Sequence, residues 1–96
     1  MKPKDSTTRA IIDLARDVSK LQHRAVQEYQ PVVDAILRAD SRDAAHIERT
    51  LDGLLDFCGH EPVLAMYKRV CRHYATFDPA AAADYVIAYR ELWGDE

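Results

Sequence analysis

Apolar residues recur at helical spacing from Ile11 to Leu37 without a change of phase. Ile11, Leu14 and Ala15, Val18, Leu21, Ala25, Tyr29, Val32 and Val33, Ile36 and Leu37 fall on one stripe. This stripe constrains the chain more than any other feature, because an amphipathic helix must bury its apolar face against something. Pro31 lies inside it. A proline removes one helical hydrogen bond and crowds the carbonyl four residues back. The spacing therefore predicts either one helix over 7–38, kinked near 28–31, or two abutting helices, 7–29 and 31–38. Asp5, Ser6 and Thr7 offer caps for its start.

The rest of the chain reads as three shorter helices, and no period-two alternation indicates a strand. Asp40 or Ser41 opens the segment 42–58, with Ala44, Ile47, Leu51, Leu54, Leu55 and Cys58 inward. Gly59 stops it, at a position where left-handed backbone is expected. Glu61-Pro62 and Asp78-Pro79 each begin a further helix, 62–76 and 79–93, since proline is welcome in the first turn. Gly94 ends the last one. The expected fold class is all-α, with four or five antiparallel helices in a single domain spanning 1–96, and flexible ends at 1–6 and 94–96. With 48% apolar and 30% charged residues in 96, the composition is that of one globular domain.

Short connections make neighbouring helices antiparallel, which sets a register. Across the turn near residue 60, Asp52 falls level with Lys68 and Glu48 with Arg72. Across the turn near 77–78, Val70 falls level with Tyr85, Met66 with Tyr89 and Val63 with Leu92. Charges and apolar groups both meet their opposites.

Helix lengths do not match. A continuous first segment is about 48 Å long, whereas the later helices reach about 22–25 Å each. Either the chain folds back at Pro31, or part of the stripe is covered by another molecule. The second option implies a homodimer built through Ile11, Leu14, Val18, Leu21, Tyr29 and Val32.

Several groupings bear on chemistry. Cys58-Gly59-His60 and Cys71-Arg72-His73 present four zinc-type ligands. However, Cys71 lies about 13 Å along its helix from the turn that holds the first pair, so no shared metal site is expected. The same gap disfavours a Cys58–Cys71 disulfide. Glu48, Asp52 and Asp56 form an acidic row at i, i+4, i+8 and read as interhelix charge rather than acid–base machinery. No glycine-rich phosphate loop is present, and Gly53 stands within a helix, where glycine costs about 1 kcal/mol relative to alanine. No cofactor and no catalytic residue is expected.

Lys68, Arg69 and Arg72 form a basic cluster within a segment that has the outline of a helix-turn-helix. This supports an alternative reading as a DNA-associated accessory or regulatory protein. Against it, the second helix opens with apolar residues where bases would be read, and the net charge of −3 opposes non-specific binding to phosphate. Tyr85, Tyr89 and Trp93 form an aromatic stripe, and Trp93, at a helix end, is the candidate anchor for a partner.

Phe77-Asp78-Pro79, followed by Tyr85 and Tyr89, resembles the junction between tetratricopeptide repeats, where Asp-Pro opens a new helix. The likeness covers about fifteen residues, with no second copy at the repeat period of about 34 residues. The Trp and Gly of the first repeat helix are missing, so the resemblance implies shared helix-start chemistry and no function.

No apolar run approaches the roughly 18 residues of a membrane span, and the first residues carry no apolar stretch of a secretory kind. The excess of Arg over Lys and the alanine content are those of a GC-rich bacterial genome. The sequence thus leads to a cytoplasmic, non-catalytic helical interaction protein that pairs with a second copy or another protein.

Overall fold

The computed structural model describes the backbone of residues 3–94 and the side chains of residues 7–94. Among these residues the fold is all-α, with four helices: α1 Pro3–Arg38, α2 Ala44–Leu55, α3 Glu61–Ala75 and α4 Pro79–Leu92.

α1 runs through Pro31 as one helix, so the expected break at 29–31 is absent. The phase of the stripe is the same on both sides of the proline, and Ala25, Val33 and Ile36 are all buried. Pro31 itself is exposed, so the carbonyl that loses its donor sits on the solvent side. At about 1.5 Å per residue α1 is about 54 Å long, which sets the 60 Å long axis of the molecule. The helix already includes Pro3, so Asp5, Ser6 and Thr7 lie within it instead of capping its start. The remaining terminal residues expected to be flexible, Met1, Lys2, Asp95 and Glu96, lie outside the described residues. Gly94 is held by its N–H, which donates to the Tyr89 and Arg90 carbonyls.

The connections differ in detail from the sequence reading. α1 ends in a Schellman arrangement: the Ser41 N–H donates to the Ile36 carbonyl at 3.0 Å and the Asp40 N–H to Leu37 at 3.3 Å. The left-handed residue this requires is Asp40, with φ of 51°, and Gly59 does not have positive φ. Asp43, not Asp40 or Ser41, caps α2 by accepting from the His46 N–H at 3.2 Å. Asp78 caps α4 as its spacing predicts, accepting from the Ala81 N–H at 3.1 Å.

α3 is the central helix and packs against each of the other three. Ile36 from α1, Ile47, Leu51 and Leu54 from α2, and Val63, Val70 and Tyr74 from α3 are all but fully buried. α4 adds only Ala82 to this core. The α3–α4 register is close to the expected one: Tyr67 donates to the Tyr85 carbonyl at 2.6 Å, and its ring lies 6.1 Å from that of Tyr89. At the opposite end, His73 Nε2 donates to the Ser41 carbonyl at 2.6 Å, tying α3 to the α1–α2 connection. Phe77 closes that end against Tyr74 and His73, with the Arg42 guanidinium over its ring.

Candidate interaction surfaces

The first surface is the N-terminal half of α1. The His23 ring lies 6.3 Å from that of His60 in the α2–α3 turn, so the bundle ends at this level. Beyond it, Ile11 is 62% exposed, Leu14 64%, Val18 45% and Leu21 53%. Together with buried Ala25, these residues are spaced alternately three and four apart, the seam spacing of a two-stranded coiled coil. The sequence expectation assigned Tyr29 and Val32 to the same intermolecular stripe. The structure instead packs both against the chain's own core, because α2 reaches that far along α1.

Tyr29 also explains the glycine inside α2. A β-carbon at Gly53 would overlap the Tyr29 hydroxyl and approach the ring. The glycine lets α1 and α2 come close where a tyrosine lies between them.

The second surface is built on α3. Lys68, Arg69 and Arg72 are all exposed. The acidic row expected to neutralise two of them is engaged elsewhere. Glu48 accepts from the Tyr74 hydroxyl at 2.6 Å, and Asp52 from the Tyr85 hydroxyl at 2.9 Å. Among the described residues no carboxylate pairs with Lys68, Arg69 or Arg72. Glu48 meets α3 two residues from its expected level at Arg72, but these two carboxylates face tyrosines rather than cations. These bonds act on the phenols: the hydrogen bond to Glu48, with burial, pushes Tyr74 up to about 12. Burial, with the bond to Asp52, raises Tyr85 as well.

Lys68 and Arg72 line one side of a groove of about 550 Å³ between α3 and α4, and Arg90 lines the other. Its floor is apolar, formed by Tyr67, Cys71 and Ala82 with Val86 at the edge, and no carboxylate lines it. Arg69 lies outside it. The sequence reading missed this groove. The signal was α4 itself, where Ala80–Ala83 and Val86–Ala88 give apolar character to more than one face. The structure buries only one of these residues, Ala82, and leaves Val86 and Ile87 42% and 51% exposed.

Trp93, the expected partner anchor, is tied to its own chain and is still 41% exposed. Its indole N–H donates to the Leu55 carbonyl at 2.7 Å, and its ring lies over Gly59, where a β-carbon would come within 2.8 Å of it. Gly59 thus makes room for the indole above it, and its backbone is not left-handed.

Cys58 and Cys71 are free and buried. Burial, with Cys71 nearby, pushes the Cys58 thiol up to about 12, and burial pushes Cys71 up to about 11. Both therefore stay protonated at neutral pH, the unreactive form of a thiol. No group of three or more His, Cys, Asp or Glu among the described residues is placed to hold a metal ion. No described helix is long and apolar enough to cross a membrane.

The fold defines an all-α helical bundle with one helix extended well past its neighbours. Comparison with protein-family models, with curated proteins and with solved structures returned no match.

Proposed function

We propose that the protein is a non-catalytic interaction module that pairs with a second copy of itself through the N-terminal half of α1. The observation that carries this reading is the row Ile11, Leu14, Val18 and Leu21, four large apolar side chains between 45% and 64% exposed on one face of a helix. A helix that presents such a seam without a neighbour gains by covering it, since each buried aliphatic side chain contributes about 1.5–3 kcal/mol. Spacing alternately by three and four residues is what two helices need to interlock.

Light scattering on a sizing column tests the pairing. A mass near twice 10.9 kDa is expected for the wild type. Leu14→Asp and Leu21→Asp should each return the monomer, with helical content below the His23 level unchanged. A wild-type monomer at about 100 µM, far above the affinity of a specific dimer, would overturn the reading.

A second reading, a nucleic-acid-associated accessory protein, rests on Lys68, Arg69 and Arg72, which are exposed and without a carboxylate partner among the described residues. Binding of duplex DNA that falls steeply with added salt would mark it. No shift of a duplex at low salt would remove it.

A further inference from the structure

We propose that the groove between α3 and α4 is a docking site for an amphipathic helix of another protein, one whose apolar face is flanked by acidic residues. The groove runs from Leu64 to Ala75 along α3, about 16 Å or three helical turns. That is the length over which a docked helix places anchors at i, i+4 and i+7. Cys71, Ala82 and Ala83 keep its middle small-sided, leaving room for large aliphatic or aromatic anchors. Val86 stands 42% exposed at its edge, so apolar surface is there to be covered.

Charge selects the occupant. Lys68 and Arg72 on one side face Arg90 on the other, none in an ion pair among the described residues. Acidic side chains flanking the apolar face of a docked helix would meet these cations on both sides, which favours capture and fixes orientation. The chain's own arm is the wrong occupant. Arg9, Arg16, Lys20 and Arg24 outnumber Asp13 and Asp17 there, so docking the arm of a second copy would bring cations against cations. Nucleic acid uses cations for its phosphates, but it leaves the aliphatic floor between them without a purpose. The groove and the arm lie on different elements, so this site stands apart from self-association through α1.

The test uses the full chain labelled with ¹⁵N, titrated with three probes. The first is a helical peptide of about 16 residues with Leu at i, i+4, i+7 and i+11 and Glu flanking that face. The second carries Lys in place of each Glu, and the third is a duplex DNA of similar length. The Glu peptide is expected to shift backbone amides of α3 and α4, not those of residues 7–22, with micromolar affinity. Charge reversal at two exposed residues, Arg72→Glu with Arg90→Glu, should weaken it at least about tenfold. Ala83→Trp, which fills the groove without changing its charge, should abolish it. Equal binding of the Lys peptide, no binding of the Glu peptide up to about 1 mM, or displacement of the same amides by DNA alone would each overturn the proposal.

Discussion

The Tyr29 hydroxyl of α1 occupies the space that a β-carbon on Gly53 of α2 would fill. A glycine unfavourable to its own helix is therefore retained by a side chain 24 positions earlier in the sequence. Gly53→Ala is expected to lower stability by about 1–2 kcal/mol, since overpacking outweighs the gain in helix propensity. In a Tyr29→Ala background the same substitution should raise stability by about 1 kcal/mol. Urea midpoints of the four variants check this, and simple additivity would refute it.

The strap at the C-terminus makes a separable prediction. Trp93→Phe keeps a ring over Gly59 but removes the indole donor from the Leu55 carbonyl, which keeps only the longer bond from the Cys58 N–H at 3.4 Å, at a cost of about 0.5–1.5 kcal/mol. Gly59→Ala pushes the indole away. As the chain's one tryptophan, Trp93 reports the event itself: its emission should move to longer wavelength in Gly59→Ala while α1–α3 stay folded by circular dichroism.

Alkaline pH should unfold the bundle early. Cys58 and Cys71, with ordinary values of 9, are pushed up to about 12 and about 11, and Tyr74, ordinarily 10, to about 12. The folded chain keeps these protons at pH values where the unfolded chain has released them. Their contribution is therefore fully present below pH 9 and is lost as pH rises to 12. The urea midpoint should hold steady from pH 7 to about 9 and fall beyond it, and Cys58→Ala should flatten that fall by about one proton. A midpoint constant to pH 11.5 would contradict the burial of these groups.

The boundary at His23 divides the apolar stripe into halves with different sensitivities. In dilute solution Leu14→Asp, on the exposed half, should change the stability read from urea unfolding by no more than about 0.5 kcal/mol. Val33→Ala, fully buried, should cost about 2–3 kcal/mol. Equal losses at the two positions would place the boundary elsewhere.

Much of the fold is legible in the sequence, because helical phase and Asp-Pro or Glu-Pro starts are local signals. The long stripe and the short helices after it already show a mismatch of lengths, which a fold-back at Pro31 or an overhanging α1 would each resolve. What lies around each helix axis is not legible. Helix spacing puts Glu48 and Asp52 at the height of Arg72 and Lys68, but height does not say which side of α3 they face, and they meet Tyr74 and Tyr85 instead. Continuing phase could not choose between a broken and an unbroken helix at Pro31. Asp40, Ser41 and Asp43 are chemically equivalent caps, so their order in space depends on where α1 finishes. The roles of Gly53 and Gly59 depend on Tyr29 and Trp93, distant in sequence. The α3–α4 groove is a gap between two helices, and its only local trace is an alanine run.

α1 is one continuous helix, yet its two ends answer to different forces. Residues 25–38 pack along the core, and their amide protons should exchange only when the bundle opens. Residues 9–21 are exposed throughout, and a lone helix of about that length is marginal in water. Their amides should exchange orders of magnitude faster in dilute solution, by unwinding from the tip inward. Whatever settles on the Leu14–Leu21 face would then complete the folding of that stretch, so that ordering and recognition become a single event.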